Sequence, residues 1–337
     1  MSTIISILLA LLLPFAKGEA QNSAIMPTTS PLETDFEPGT NPLQFSSEGE
    51  LIAATLFLPE AYQAGDQLPV VIVEGPWTQV KEQLAYRYAT DLSEQGIAAL
   101  ALDHRYWGES GGSPRFLESS SAKVEDLRNA ISFLQQLSLI AEDEIFLLGV
   151  CAGAGTVAQT AAMDNRIAGM VTVAAWLQHP STSPLFYGGE QGVAELIDLA
   201  ENAANAYLES GEMPYVAAYD PEPGSGAAMA FPSDYYGSAN RGAIAEWNNQ
   251  FAVAGWKEWL ELNTIDGVAD RIDSPVLMIH SDQSALPDNV RRFYDQVNGP
   301  KQLVWGEGAH TDFYDQDQQL DFVINQLVSF ILSRSAQ

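Results

Sequence analysis

The 337-residue chain has one cysteine and four histidines. A single thiol permits no intramolecular disulfide and no cysteine-based zinc site, so no metal is expected. Basic residues are also scarce. Fifteen Lys and Arg stand against 44 Asp and Glu, for a formal charge of -29. That sign and size repel phosphate backbones and anionic membrane surfaces, which excludes nucleic acid as a partner. Charged residues make up only 18% and apolar residues 46%, a composition that packs a core rather than staying disordered. The apolar run Ile4 to Ala16 is too short for a transmembrane helix of about 20 residues.

That run is followed by small residues, with a usable cleavage site after Ala20. Residues 1–20 are therefore expected to be a signal peptide. The protein would be exported to the periplasm or the exterior, with no stable membrane partner after cleavage. Residues 21–41 are rich in Pro, Ser and Thr and lack periodicity, which predicts a loose leader.

From Leu43 onward, short β-branched or apolar runs alternate with helical spacing. Leu51–Leu58, Pro69–Glu74, Ile97–Leu102, Glu144–Gly149 and Ile167–Ala174 read as strands, the first pairing with the run near Leu43. Val80–Glu94, Ser121–Leu137 and Ala152–Met163 read as helices. The rhythm stops over 176–265 and resumes with strands at Pro275–Ile279 and Gln302–Trp305 and helices at Asp288–Val297 and Gln318–Leu332. Short connections and a βαβα order predict an α/β fold, a mostly parallel sheet covered by helices on both faces. The core would be 42–175 and 266–337, with 176–265 a cap inserted after the sixth strand.

The lone cysteine lies between a strand and a helix, in Gly149-Val-Cys151-Ala-Gly153. A nucleophile on so tight a turn leaves no room for side chains two residues either side, and glycines occupy both positions. The helix N-terminus behind it favours thiolate. Among the histidines, only His310 follows the last predicted strand, and it is the expected base. Asp282, just after the strand ending at Ile279, is the expected acid, with Asp288 the alternative. His104 reads as a structural loop residue and His280 as a buried strand end. Backbone N–H groups of Ala152 and of Trp77 (or Gly75, since Pro76 has none) would form the oxyanion site.

These residues resemble the α/β-hydrolase superfamily over about Leu43 to Leu332. The Gly-x-Cys-x-Gly elbow looks like its dienelactone-hydrolase-like branch, and Gly75 to Gln83 like the opening segment of some secreted or bacterial members. The resemblance implies that Glu74 could contact the thiol and help to take its proton. It also implies a Cys151–His310–Asp282 triad that opens small-molecule esters or lactones without a cofactor. The large cap and the export signal depart from the minimal dienelactone fold and leave the substrate open. Within the cap, Tyr235, Tyr236 and Trp247 are candidates for the substrate pocket. The same triad suits an acyltransferase or a peptidase-like enzyme, and a non-catalytic binding protein is the remaining alternative.

Overall fold

The computed structural model describes residues 35–335. The expected signal peptide and most of the leader lie outside them. The chain begins with an antiparallel pair, β1 (Gly39–Ser47) and β2 (Glu50–Leu58), so the first strand starts inside the expected leader. The hydrolase-like alternation follows: β3 (Leu68–Glu74), α1 (Leu84–Glu94), β4 (Ala98–Leu102), α2 (Ser120–Leu134), β5 (Ile140–Val150), α3 (Gly153–Met163) and β6 (Gly169–Val173).

The next ninety residues or so build the cap. It holds α4 (Ser183–Phe186), α5 (Gly189–Ser210), β7 (Tyr215–Ala217), β8 (Tyr219–Asp220), β9 (Met229–Ala230), α6 (Asp234–Gly237), β10 (Gln250–Ala252) and α7 (Gly255–Glu261). Its strands form two small two-stranded pairs, β10 with β7 and β8 with β9. The core then resumes with β11 (Val276–His280), α8 (Pro287–Gln296), β12 (Lys301–Trp305), α9 (Asp312–Asp315) and α10 (Asp317–Ser335).

The main sheet has eight strands in the order β1-β2-β4-β3-β5-β6-β11-β12. β2 runs antiparallel to β4, and every pair from β4 to β12 is parallel. Strands β4, β6 and β11 are buried along their whole length, because helices cover both faces of a parallel sheet. One face packs Leu84, Tyr88 and Leu92 of α1 against Leu320, Val323 and Leu327 of α10 and the sheet. The other packs Leu127 and Ile131 of α2, Val157 of α3 and Phe293 of α8. Among the described residues no helix is long and apolar enough to cross a membrane. β5 lies in the middle of this sheet, so its carboxyl end, where Cys151 sits, is held from both sides.

Candidate active site

Strand β5 ends at Val150 and α3 begins at Gly153, which leaves two residues to reverse the chain. Cys151 takes φ +56°, the left-handed region that costs a non-glycine residue energy and persists where the surroundings enforce it. The surroundings do so here. Cys151 N–H donates to the Val173 carbonyl at 3.1 Å, and the Cys151 carbonyl accepts from Trp176 N–H at 2.8 Å. A Cβ on Gly149 would lie 2.5 Å from the Gly153 carbonyl oxygen, and one on Gly153 would lie 2.5 Å from the carbonyl oxygens of Glu74 and Gly75. The two glycines therefore bring the α3 start and the loop after β3 against the elbow.

That loop carries Trp77. The backbone N–H groups of Trp77 and Ala152 and the Tyr314 side chain lie near enough to the Cys151 sulfur to favour its ionised form. The loop is clamped from below: Lys81 N–H and Nζ donate to the two oxygens of buried Asp103 at 2.8 Å each, and Nζ also reaches Glu109 at 2.7 Å. Glu82, Asp103 and Glu109 come together around this ammonium, which offsets their charge. Cys151 is buried, and burial pushes its thiol up to about 11, against the pull of these polar neighbours. Burial outweighs what these neighbours contribute to the ionised form.

His310 and Cys151 line the same cavity. His310 Nδ1 accepts the Ala285 N–H at 3.2 Å, an arrangement that puts the proton of the neutral ring on Nε2. Burial, and then its neighbour His280, pull His310 down to about 3, so the ring is neutral at pH 7. Asp282 does not reach it. Its side chain faces solvent and pairs with Arg291 at 2.9 Å. Asp288 is also exposed and pairs with the same arginine at 3.1 Å. No carboxylate is hydrogen-bonded to His310 among the described residues, so the expected histidine–aspartate pair is absent from this geometry.

Glu74 departs from its expected contact too. It is buried, and its Oε2 meets His104 Nε2 at 2.5 Å. His104 Nδ1 in turn lies 3.3 Å from Asp126, which also binds Arg105 at 2.7 Å. Lys123 stands 3.8 Å from Glu74 and 2.6 Å from Glu118. No hydrogen bond joins Glu74 to the Cys151 sulfur among the described residues. Burial opposes the charged form of His104, yet its two carboxylates raise it to about 9, so it stands as an imidazolium inside a buried ion network. His104 is a structural residue, as its loop position predicts, and Glu74 is its partner.

The cavity over Cys151 holds about 1200 Å³. Its wall is aromatic: Trp77, Trp176, Trp256 and Trp259 from one side, Tyr187 and Tyr236 from others. Trp77 stacks on Trp259 at 4.4 Å between ring centres. Of the three expected pocket residues, only Tyr236 lines the cavity. Trp247 is turned into the cap–core contact, where its Nε1 donates to the Thr78 carbonyl at 2.8 Å. Tyr235 packs edge-on against Tyr314 at 4.8 Å, with Arg241 over its ring at 5.6 Å. Tyr314 also lines this cavity, and no local pattern points to it, since α9 lies far from the elbow along the chain.

Comparison with known proteins agrees with this architecture. The pattern of the family described as serine aminopeptidase, S33, matches residues 69–209. The Pseudomonas aeruginosa protein PA2218 is 27% identical over 281 residues, which cover 81% of this chain and 75% of that one. Its crystal structure superposes with a TM-score of 0.76 at 24% identity, covering 96% of this chain and 100% of the other. The polyketide transferase claH of Penicillium crustosum is 25% identical, covering 80% of this chain and 90% of its own. The α/β hydrolase GrgF from Penicillium sp. sh18 superposes with a TM-score of 0.74 at 21% identity, covering 88% of this chain and 99% of that one. The protein thus has the α/β-hydrolase fold, a mostly parallel sheet flanked by helices. The particular chain is one whose elbow carries cysteine beneath an aromatic cap.

Proposed function

We propose that this protein cleaves carboxylic esters or lactones through a thioester on Cys151. The observation that supports it most is the elbow itself: a cysteine held at φ +56° between two glycines that admit no side chain, at the floor of a cavity it shares with His310. In this reading Cys151 Sγ attacks the carbonyl carbon and the S–C bond forms. The carbonyl oxygen takes the negative charge against Ala152 and Trp77 N–H. The C–O bond to the leaving group then breaks, and the thiol proton, carried by His310, goes to that oxygen. Water follows the same path in reverse and frees the acid. The steps balance without a metal or organic cofactor. Taking a proton at Nε2 requires the ring's own proton on Nδ1, so His310 must give up the Ala285 N–H during turnover. The glycine elbow with cysteine is the feature that supports the dienelactone-hydrolase-like branch within the class.

A second reading, acyl transfer to an alcohol or amine, is favoured by one observation: the thiol is buried under an apolar cap that restricts water. Relatives named as polyketide transferases and an acyltransferase fit it. A panel of esters, lactones and amides, run on the wild type and Cys151→Ala with and without an added alcohol, tests both. The expected result is an acyl adduct on the wild type by intact mass and no turnover in the alanine variant. Wild-type turnover by Cys151→Ala would overturn the mechanism. We also propose export, on the strength of the Ile4–Ala16 run and the site after Ala20. A mature N-terminus elsewhere than residue 21 in the exported fraction would count against it.

A further inference from the structure

The cavity above Cys151 is larger than a small acyl group needs. It holds about 1200 Å³, more than the roughly 300–1,000 Å³ of an ordinary small-molecule site. A short acyl group on the sulfur would leave most of that space as water against aromatic rings. Filling it with hydrocarbon is favourable, because apolar surface leaves water on both partners.

The aromatic side of the lining fits such a group. Trp176 is anchored to the elbow, its backbone N–H donating to the Cys151 carbonyl at 2.8 Å. Its ring lies 6.4 Å from the His310 imidazole and 6.4 Å from Trp259. On its far side comes Phe186 of α4, at 4.8 Å. Leu196 of α5 lines the same cavity. The indole N–H groups of both tryptophans are taken. Trp176 Nε1 donates to Gln178 Oε1 at 2.8 Å, and Trp259 Nε1 donates to the Tyr187 hydroxyl at 2.8 Å. Gln178 is buried, and its Nε2 donates to Ser183 Oγ at 2.8 Å and to the Trp259 carbonyl at 3.3 Å. One buried amide thus ties α4 and α7 to the Trp176 ring and holds this surface in place. None of these lining residues carries a charge.

Charge in the lining belongs to other residues. Asp234 and Asp312 are its carboxylates, and Arg241 is its one guanidinium. Arg241 is committed: it reaches Asp315 at 2.5 and 2.8 Å and the Thr311 carbonyl at 3.1 Å. An anionic substrate would meet two carboxylates and no uncommitted arginine, on a chain whose formal charge is -29. That arrangement selects against negative charge.

We propose that the compartment bounded by Trp176, Trp259, Phe186 and Leu196 binds the acyl part of the substrate, and that this part is long or bulky, apolar and uncharged. The inference rests on the reading of Cys151 as the nucleophile of an ester-cleaving enzyme. Phe186 and Leu196 are then specificity residues. Phe186, 48% exposed, marks the outer end of the compartment.

The test is a series of nitrophenyl esters with one leaving group and acetyl, butanoyl, octanoyl or decanoyl chains, with a decanoyl analogue ending in a carboxylate. All are used below their solubility limits. kcat/KM is measured on the full chain as wild type, Phe186→Ala, Leu196→Glu and Cys151→Ala. In the wild type it rises roughly two- to fourfold per methylene up to octanoyl. The terminal carboxylate lowers it at least about tenfold. The octanoyl-to-acetyl ratio falls about tenfold or more in Leu196→Glu, which places a charge on the apolar surface. It falls about three- to tenfold in Phe186→Ala. Should Leu196→Glu fail to fold, the Phe186→Ala ratio decides. A flat or falling series in the wild type, ratios unmoved in the folded variants, or a preference for the carboxylate-ended ester overturns the proposal, while an inactive Cys151→Ala keeps the nucleophile. Turnover by Cys151→Ala, or none by the wild type on any ester, overturns the reading beneath. Binding of methyl decanoate to Cys151→Ala, followed by tryptophan fluorescence and weakened by added Leu196→Glu, then decides the compartment independently of turnover.

Discussion

Asp282 and Arg291 are joined at 2.9 Å on the protein surface, with 73% and 48% of their side chains exposed. The aspartate occupies the place in the chain where a triad acid belongs, and its carboxylate points the other way. An exposed pair of this kind contributes between about zero and 1 kcal/mol. Asp282→Asn is therefore expected to change kcat/KM on an activated ester less than about threefold, and to leave thermal stability nearly unchanged. Measured beside Cys151→Ala, a loss of a hundredfold or more would show that the Asp282 loop turns inward during turnover.

The limits of reading this chain follow the same line. Strands β3, β4, β6 and β11 are mostly apolar runs with helices between them, so their identity and the parallel sheet are legible from local pattern. β5 is longer than its pattern, starting at Ile140, because Glu142 and Asp143 have no apolar signature although the strand continues through them. The elbow is legible because Gly-x-Cys-x-Gly is a local steric demand. Side-chain direction is not local. Asp282 and Glu74 lie where the chemistry asks for carboxylates, yet Arg291 and His104 claim them. The cap aromatics carry no period that separates cavity wall from interior. Tyr314 joins Cys151 in the cavity wall only through the tertiary fold.

Trp247 illustrates this and is checkable. It reads as a pocket aromatic and instead spans cap and core through its Nε1 bond to Thr78. Trp247→Phe keeps an aromatic but smaller ring and removes the donor, leaving a buried carbonyl unpaired at a cost of about 1–3 kcal/mol. The expected outcome is a lower midpoint in urea with little change in KM across substrates of different acyl size. A KM change that grows with acyl size, at unchanged stability, would return Trp247 to the pocket.

The elbow glycines give a steeper prediction. At Gly153 a methyl group would lie 2.5 Å from two backbone oxygens, on Glu74 and Gly75, which belong to the loop that leads to Trp77. Backbone cannot rotate out of the way as a side chain can. Gly153→Ala is expected to displace this loop and with it the Trp77 N–H, lowering kcat/KM by at least about a hundredfold, the cost of one oxyanion donor. Gly155→Ala is the comparison, since there the nearest atom is a Thr264 methyl at 2.7 Å. Equal losses in the two variants would show general damage to α3 rather than a displaced donor.

The buried network under the site sets a pH dependence of stability. His104 is raised from the unfolded value of 6.5 to about 9: burial opposes its charge, and Glu74 and Asp126 outweigh burial. A group raised on folding contributes stability that is fully present below pH 6.5 and is lost as pH rises through about 9. The shift corresponds to a few kcal/mol at most, on the order of 1.4 per unit, shared with its carboxylate partners. The midpoint in urea should therefore fall between pH 6.5 and 9 for the wild type. His104→Gln cannot titrate there. It should start less stable at pH 6, because Glu74 and Asp126 lose their cation, and then run flat over the same window. A wild-type curve as flat as that of the variant would mean that His104 is neutral in the fold, and the network would then be hydrogen-bonded rather than ionic.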